Sequence, residues 1–283
     1  MRNISFSPLT ALEVGPPEQM DVLADAGYRL TGLRLHPATP GGTAYPLRMG
    51  SPALRSTQER MKERGIRVLD IEVLLINEQT DIASFLPCIE AGAALGATRL
   101  GVNGEDPELD RFTEKFAQLC DLAEPYGMEV DLEFMVWRPI RNIHVAEQVV
   151  RTSGRRNAKI LIDTLHLARS GGTLADVQAL EPALIGAMQI CDGPLVGPMP
   201  HETSAILAEA RSGRLPPLEG ELPLVELVRA VPSSTPVSVE VPMVASDRFL
   251  DLPSKIAHIR KAAERCLVLA QIEVEPGKAS AHP

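Results

Sequence analysis

No apolar run in this 283-residue chain approaches the roughly 20 residues needed to span a bilayer. The most apolar stretch, 68–75, is interrupted by Asp70 and Glu72, so no membrane segment is expected. Positive charge is also scarce. The formal net charge is −9, which argues against a surface built to neutralise phosphates and so against a nucleic-acid partner. Cys88, Cys120, Cys191 and Cys266 are scattered, with no C-x-x-C spacing for zinc or redox chemistry, and read as thiols that fill the core. The opening MRNISFSPLTALE lacks the apolar stretch and small-residue cleavage site of a secretory signal, so a cytosolic location is expected. Where a dinucleotide fold would place a Gly-rich turn, the chain reads Ser7-Pro8-Leu9-Thr10, and no P-loop is found elsewhere.

What the chain has is alternation. Apolar residues make up 45% and charged residues 23%, enough for a large core. Short β-branched runs at 4–7, 31–35, 67–72, 98–103, 129–133, 159–163, 187–191 and 237–241 are each followed by helical periodicity, which is the α/β signature. Helices are expected over 17–26, 52–64, 82–95, 109–126, 142–153, 174–180, 222–230 and 253–270. Gly27, Gly65, Gly96 and Gly127 each stand just past a helical run, where a left-handed residue closes it. Eight such units without a break in composition fit a single (β/α)8 TIM barrel over 1–272 better than the alternative, a doubly wound open sheet, and the size is close to the ~250 residues typical of that barrel. The Lys-, Ser-, Ala-, Gly- and Pro-rich stretch 273–283 is expected to be a flexible tail. Two long connections, 36–50 and 192–222, the second with an extra helix at 202–211, follow strands and should shape a substrate pocket.

Four polar residues sit at the ends of the last four strands: Glu133, Asp163, Gln189 and Glu240. Strand alternation puts Val130, Leu132 and Phe134 on the helix-facing side and leaves Asp131 and Glu133 pointing into the barrel. By the same rule Glu240 and Ser238 point inward, against Val237, Val239 and Val241. Converging carboxylates repel unless a cation lies between them, and a divalent metal would supply it. Oxygen-rich ligation suits Mn²⁺ or Mg²⁺ better than Co²⁺ or Zn²⁺. His166, three residues past Asp163, falls where it could bind substrate, shuttle a proton or orient Asp163. Arg34, His36 and Glu72 near strand ends, and Arg214 and Arg48 in the long connections, are candidate substrate contacts. Trp137 and Arg138 could wall the pocket.

The I-D-T-x-H phrase at 162–166, the V-E-V phrase of the last strand and RLPPLEGELPL at 214–224 together resemble the sugar phosphate isomerase/epimerase superfamily, the xylose isomerase-like TIM barrels, over nearly the whole chain. The resemblance implies one metal held by residues mapping to Glu133, Asp163, Gln189 and Glu240. It also implies Glu133 and Glu240 as acid and base in an enediolate isomerisation or epimerisation of a small keto-sugar or polyol. Gln189 stands where the family usually has His. Some 3-dehydroshikimate dehydratases are similar in carrying Gln there, so a lyase is the alternative. An apurinic endonuclease, which resembles these barrels, would need a multi-zinc histidine cluster that the chain lacks. A non-catalytic binding barrel is a further alternative. The expected partner is a small carbonyl or polyol substrate, and such barrels often form homo-oligomers.

Overall fold

In the computed structural model, which describes residues 3–39, 41–199, 201–243 and 251–271, eight parallel strands close into one barrel in sequence order. They are β1 (Ile4–Phe6), β2 (Leu30–Leu33), β3 (Arg67–Ile76), β4 (Arg99–Gly104), β5 (Glu129–Glu133), β6 (Ala158–Asp163), β7 (Ile185–Ile190) and β8 (Val237–Val239). Closure runs through β1 and β8, with Ile4 opposite Val237 and Phe6 opposite Val239. The expected tail at 273–283 lies outside the described residues.

Helices wrap the strands: α1 (Pro16–Asp25), α2 (Pro52–Arg64), α3 (Leu86–Ala94), α4 (Leu109–Ala123) and α5 (Ile143–Ser153) in the first part of the chain. They are followed by α6 (Thr164–Arg169), α7 (Leu174–Ala179), α8 (Thr203–Ala208), α9 (Leu224–Ala230) and α10 (Leu252–Gln271). Their ends follow the local chemistry of the sequence. Ser51 caps α2 by accepting from the Leu54 N–H, and Asn142 caps α5 from the Val145 N–H, each satisfying an orphan donor of the first turn. Gly65 ends α2 at φ 65°, a conformation that costs a β-carbon-bearing residue energy. The face of α4 made by Phe112, Phe116, Leu119, Cys120 and Ala123 is fully buried, at the spacing of one helical stripe.

The inward and outward assignments hold. Val130, Leu132, Phe134, Val237, Val239 and Val241 are fully buried in the apolar layer. Asp131 takes the inner face, where Arg99 grips it with bonds of 2.5 and 2.6 Å and also reaches Glu129. This charged layer lies below the site.

Three details differ from the sequence reading. Glu72 does not end the third strand: β3 continues to Ile76, with a shift of register between Ile71 and Leu74, because the apolar run 73–76 extends the pairing with β4. A separate short helix, α6, starts directly at the end of β6, capped by Asp163. The helix expected at 202–211 becomes α8 and a wider turn, Glu209–Gly213. Among the described residues no helix is long and apolar enough to cross a membrane, and all four cysteines are free.

Candidate active site

At the C-terminal end of the strands, where barrels of this type build their sites, a cavity of about 760 Å³ opens. Arg34, Glu72, Asn103, Glu133, Trp137, Arg138, His166, Gln189, Arg214 and Glu240 all line it. Both long connections contribute, through Ala38 and Thr39 from the first and Ala210, Arg211 and Arg214 from the second. Asp163 is completely covered, because Arg214 lies over it.

Arg214 organises the floor. Its side chain is 1% exposed, and its Nη1 donates to Asp163 Oδ2 at 2.5 Å. Its Nη2 lies 3.0 Å from Glu240 Oε2 and 3.2 Å from His166 Nε2. The Ala210 carbonyl accepts from its Nε at 2.9 Å. The His166 backbone N–H donates to the other oxygen of Asp163 at 2.8 Å. Burial lowers the His166 pKa to about 4, so the ring is neutral near pH 7 and its Nε2 can accept from Arg214. Trp137 fixes the ring edge-on at 5.1 Å.

A second network crosses the barrel. Ser7 Oγ lies 2.7 Å from both Glu72 Oε1 and Glu240 Oε1. A hydroxyl has one proton to give, so the second contact is a hydrogen bond only when a carboxyl supplies its own. Glu240 is suited to that: burial, with repulsion from Glu72 and Asp163 outweighing part of the Arg214 attraction, raises its pKa to about 7. Gln189 Nε2 donates to Glu72 Oε2 at 3.0 Å, which leaves the amide oxygen as the acceptor. Asn103, with its amide turned so that nitrogen faces Glu133, donates to Oε2 at 2.9 Å.

Glu133 is the least satisfied group. Its Oε1 is buried without a hydrogen-bond partner, and burial, then the charges of Glu240 and Asp163, push its pKa well above the usual carboxylate range. Four buried carboxylates, Glu72, Glu133, Asp163 and Glu240, face two buried guanidinium groups, Arg34 and Arg214. With all four ionised, four minus two leaves an excess of two negative charges, a crowding that the raised pKa values of Glu133 and Glu240 reflect. An orphaned carboxylate oxygen and a twofold charge deficit both fit a divalent cation. Ligand atoms of Glu133, Asp163 and His166 lie within 4.8 Å of one another, a group that could hold such an ion.

Glu133 and Asp163 come together, but with His166 beside them, while Glu240 is held by Arg214 and Ser7, and Gln189 by Glu72. Arg34 lines the cavity 3.8 Å from Glu72. His36 does not reach it: β2 ends at Leu33, so strand alternation no longer governs position 36. The ring instead packs edge-on against Phe85 at 5.2 Å, in a separate outer groove. Arg48 is exposed and lies outside the cavity lining. Ser7, Asn103, Arg211 and Lys255 were not anticipated. Ser7 and Asn103 carried a signal, as polar residues at the ends of β1 and β4.

Residues 20–265 match the family described as xylose isomerase-like TIM barrel, and the chain belongs to that family. No curated protein matches the sequence. Among solved structures, the chain is similar to the IolI protein with a bound zinc atom, at TM-score 0.74 and 19% identity over 95% of this chain and 98% of that one. It is also similar to a D-psicose 3-epimerase determined in the presence of D-fructose, at TM-score 0.71 and 15% identity over 95% and 99%. A third is the probable 3-DHS dehydratase AsbF from Bacillus anthracis, at TM-score 0.70 and 12% identity over 93% and 98%.

Proposed function

We propose that this protein is a divalent-metal-dependent isomerase or epimerase of a small keto-sugar or related polyol, working through an enediolate. The observation that carries the reading is the orphaned, charge-crowded Glu133 carboxylate facing Glu240 across one cavity. Glu133, Asp163, Gln189 and Glu240 would hold the cation, with His166 close by. When bound, the ion supplies positive charge at the substrate's carbonyl and neighbouring hydroxyl oxygens.

The side chains supply the proton traffic. Glu133, held at Oε2 by Asn103, takes the proton from the carbon next to the carbonyl. Glu240 returns a proton to the substrate, and Ser7 keeps that carboxyl oriented. Arg214 and neutral His166 brace Asp163 and Glu240, and Trp137 closes one wall against water.

The dehydratase reading is favoured by one feature, the amide of Gln189 at the end of β7. A dehydratase forms the same enolate and then expels a β-hydroxyl. The test is metal content and turnover in wild type, Glu133→Gln and Glu240→Gln. Stoichiometric Mn²⁺ or Mg²⁺ in wild type, lost in both variants, with turnover of a ketose, supports the isomerase. Turnover of 3-dehydroshikimate supports the lyase, and no metal uptake by wild type overturns both.

A further inference from the structure

Above the carboxylates, the cavity carries positive charge that the proton chemistry does not use. The turn after β5, closed by bonds from Met135 N–H to Ile140 O and from Arg138 N–H to Met135 O, aims Arg138 into the cavity with its side chain 11% exposed. Among the described residues its one ion pair is with Glu105, which is itself 39% exposed, and its Nε is buried without a hydrogen-bond partner.

Across the same cavity stands Arg211, on the turn Glu209–Gly213. It has no ion pair or side-chain hydrogen bond among the described residues. The acid nearest to it in sequence, Glu209, accepts two hydrogen bonds from Arg169, both at 2.6 Å. Arg138 and Arg211 therefore face the cavity as like charges. Burial first, and then the charge of Arg211, lower the Arg138 pKa to about 10. Arg138 keeps a buried Nε without a partner beside its pairing with Glu105, and Arg211 has no anion among the described residues; the planar fork of Arg matches carboxylate and phosphate oxygens.

We infer that Arg138 and Arg211 form a subsite for an anionic group of the substrate, so that the hydroxy-ketone taken by this barrel carries a carboxylate or a phosphate and is not a neutral sugar. The inference rests on the catalytic reading above for its substrate class, but the subsite itself stands on these two residues. The anion sits at the cavity mouth while the carbonyl end reaches the Glu133 and Glu240 floor.

The test is titration calorimetry on the full chain with three probes: D-fructose, fructose 6-phosphate and 3-dehydroshikimate, with Mn²⁺ titrated separately. One anionic probe should bind at least about tenfold more tightly than D-fructose, the scale of one charge-assisted contact. Which one it is distinguishes phosphate from carboxylate. Arg211→Gln, an exposed position, should weaken that probe about tenfold and leave D-fructose and Mn²⁺ binding unchanged. Arg138→Gln, checked for fold by circular dichroism, should do the same. Equal binding of D-fructose and both anions, or anion binding untouched in Arg211→Gln, overturns the subsite. Mn²⁺ uptake with no anion preference removes this inference alone, and anion preference without Mn²⁺ uptake removes the metal reading alone.

Discussion

Arg214 lies between Asp163 and Glu240, 2.5 Å from an oxygen of the first and 3.0 Å from an oxygen of the second. Its donors stand on acceptors that a metal ion would also seek. Replacing it with Met leaves two buried carboxylates without their cation, a change that typically costs about 3–5 kcal/mol. Scanning calorimetry of metal-free Arg214→Met should show a melting point lower by roughly 10 °C, with Mn²⁺ restoring part of it. An unchanged melting point would show that the guanidinium does not stabilise the floor.

The pH response of Glu240 has a definite sign. Its pKa in the folded chain is raised from 4.5 to about 7, so the folded state binds more protons than the unfolded one between those values. Its stabilising contribution is full below pH 4.5 and is lost as pH rises through 7. His166, lowered from 6.5 to about 4, works in the opposite direction over much of that window, so the comparison must be made against Glu240→Gln. In chelator, the variant should gain stability relative to wild type as pH rises from 4.5 to 7, then hold level. Urea melts at half-unit steps read this, and a gap independent of pH would contradict it.

Gln189→His exchanges an amide oxygen for an imidazole nitrogen at the end of β7. Nitrogen ligands favour borderline metals, so Zn²⁺ and Co²⁺ affinity should rise about tenfold or more while Mg²⁺ affinity stays level or falls. Competition titrations with a metallochromic chelator measure both. Equal shifts for all three ions would remove residue 189 from the ligand set.

The lower charged layer is structural. Arg99→Met strips Asp131 of its bidentate partner and should destabilise the barrel by about 3–5 kcal/mol. Because Arg99 pairs with Asp131 and Glu129 and with none of the site carboxylates, Mn²⁺ affinity should stay within about twofold of wild type. A large loss of affinity at equal fold content would place Arg99 in the metal site's electrostatics.

Periodicity made the barrel legible. Val130, Leu132 and Phe134 against Asp131 and Glu133 are a local pattern, and the strand fixes which side each takes. The helix ends at Gly65 and Gly127 were local as well. What escaped was set by contacts between distant positions: Ser7 meets Glu240 across 233 residues, and Arg214 meets Asp163 across 51. No window of sequence holds those pairs. His36, expected near the end of a strand over 31–35, stands three positions past the strand's last residue, Leu33, and its ring lies against Phe85 in the outer groove.

The groups proposed to transfer protons and hold the cation enter from β5 to just beyond β8, while β1 to β4 contribute Ser7, Arg34, Glu72 and Asn103 as wall and bracing. This split separates two kinds of inheritance. The walls lent by the first half of the barrel and the anion subsite of Arg138 and Arg211 can be remodelled, and with them the molecule admitted, while the reactive carboxylates keep their places. Reaction type should then diverge more slowly than substrate, and libraries built on the connection 36–50 should yield new preferences more readily than new chemistry.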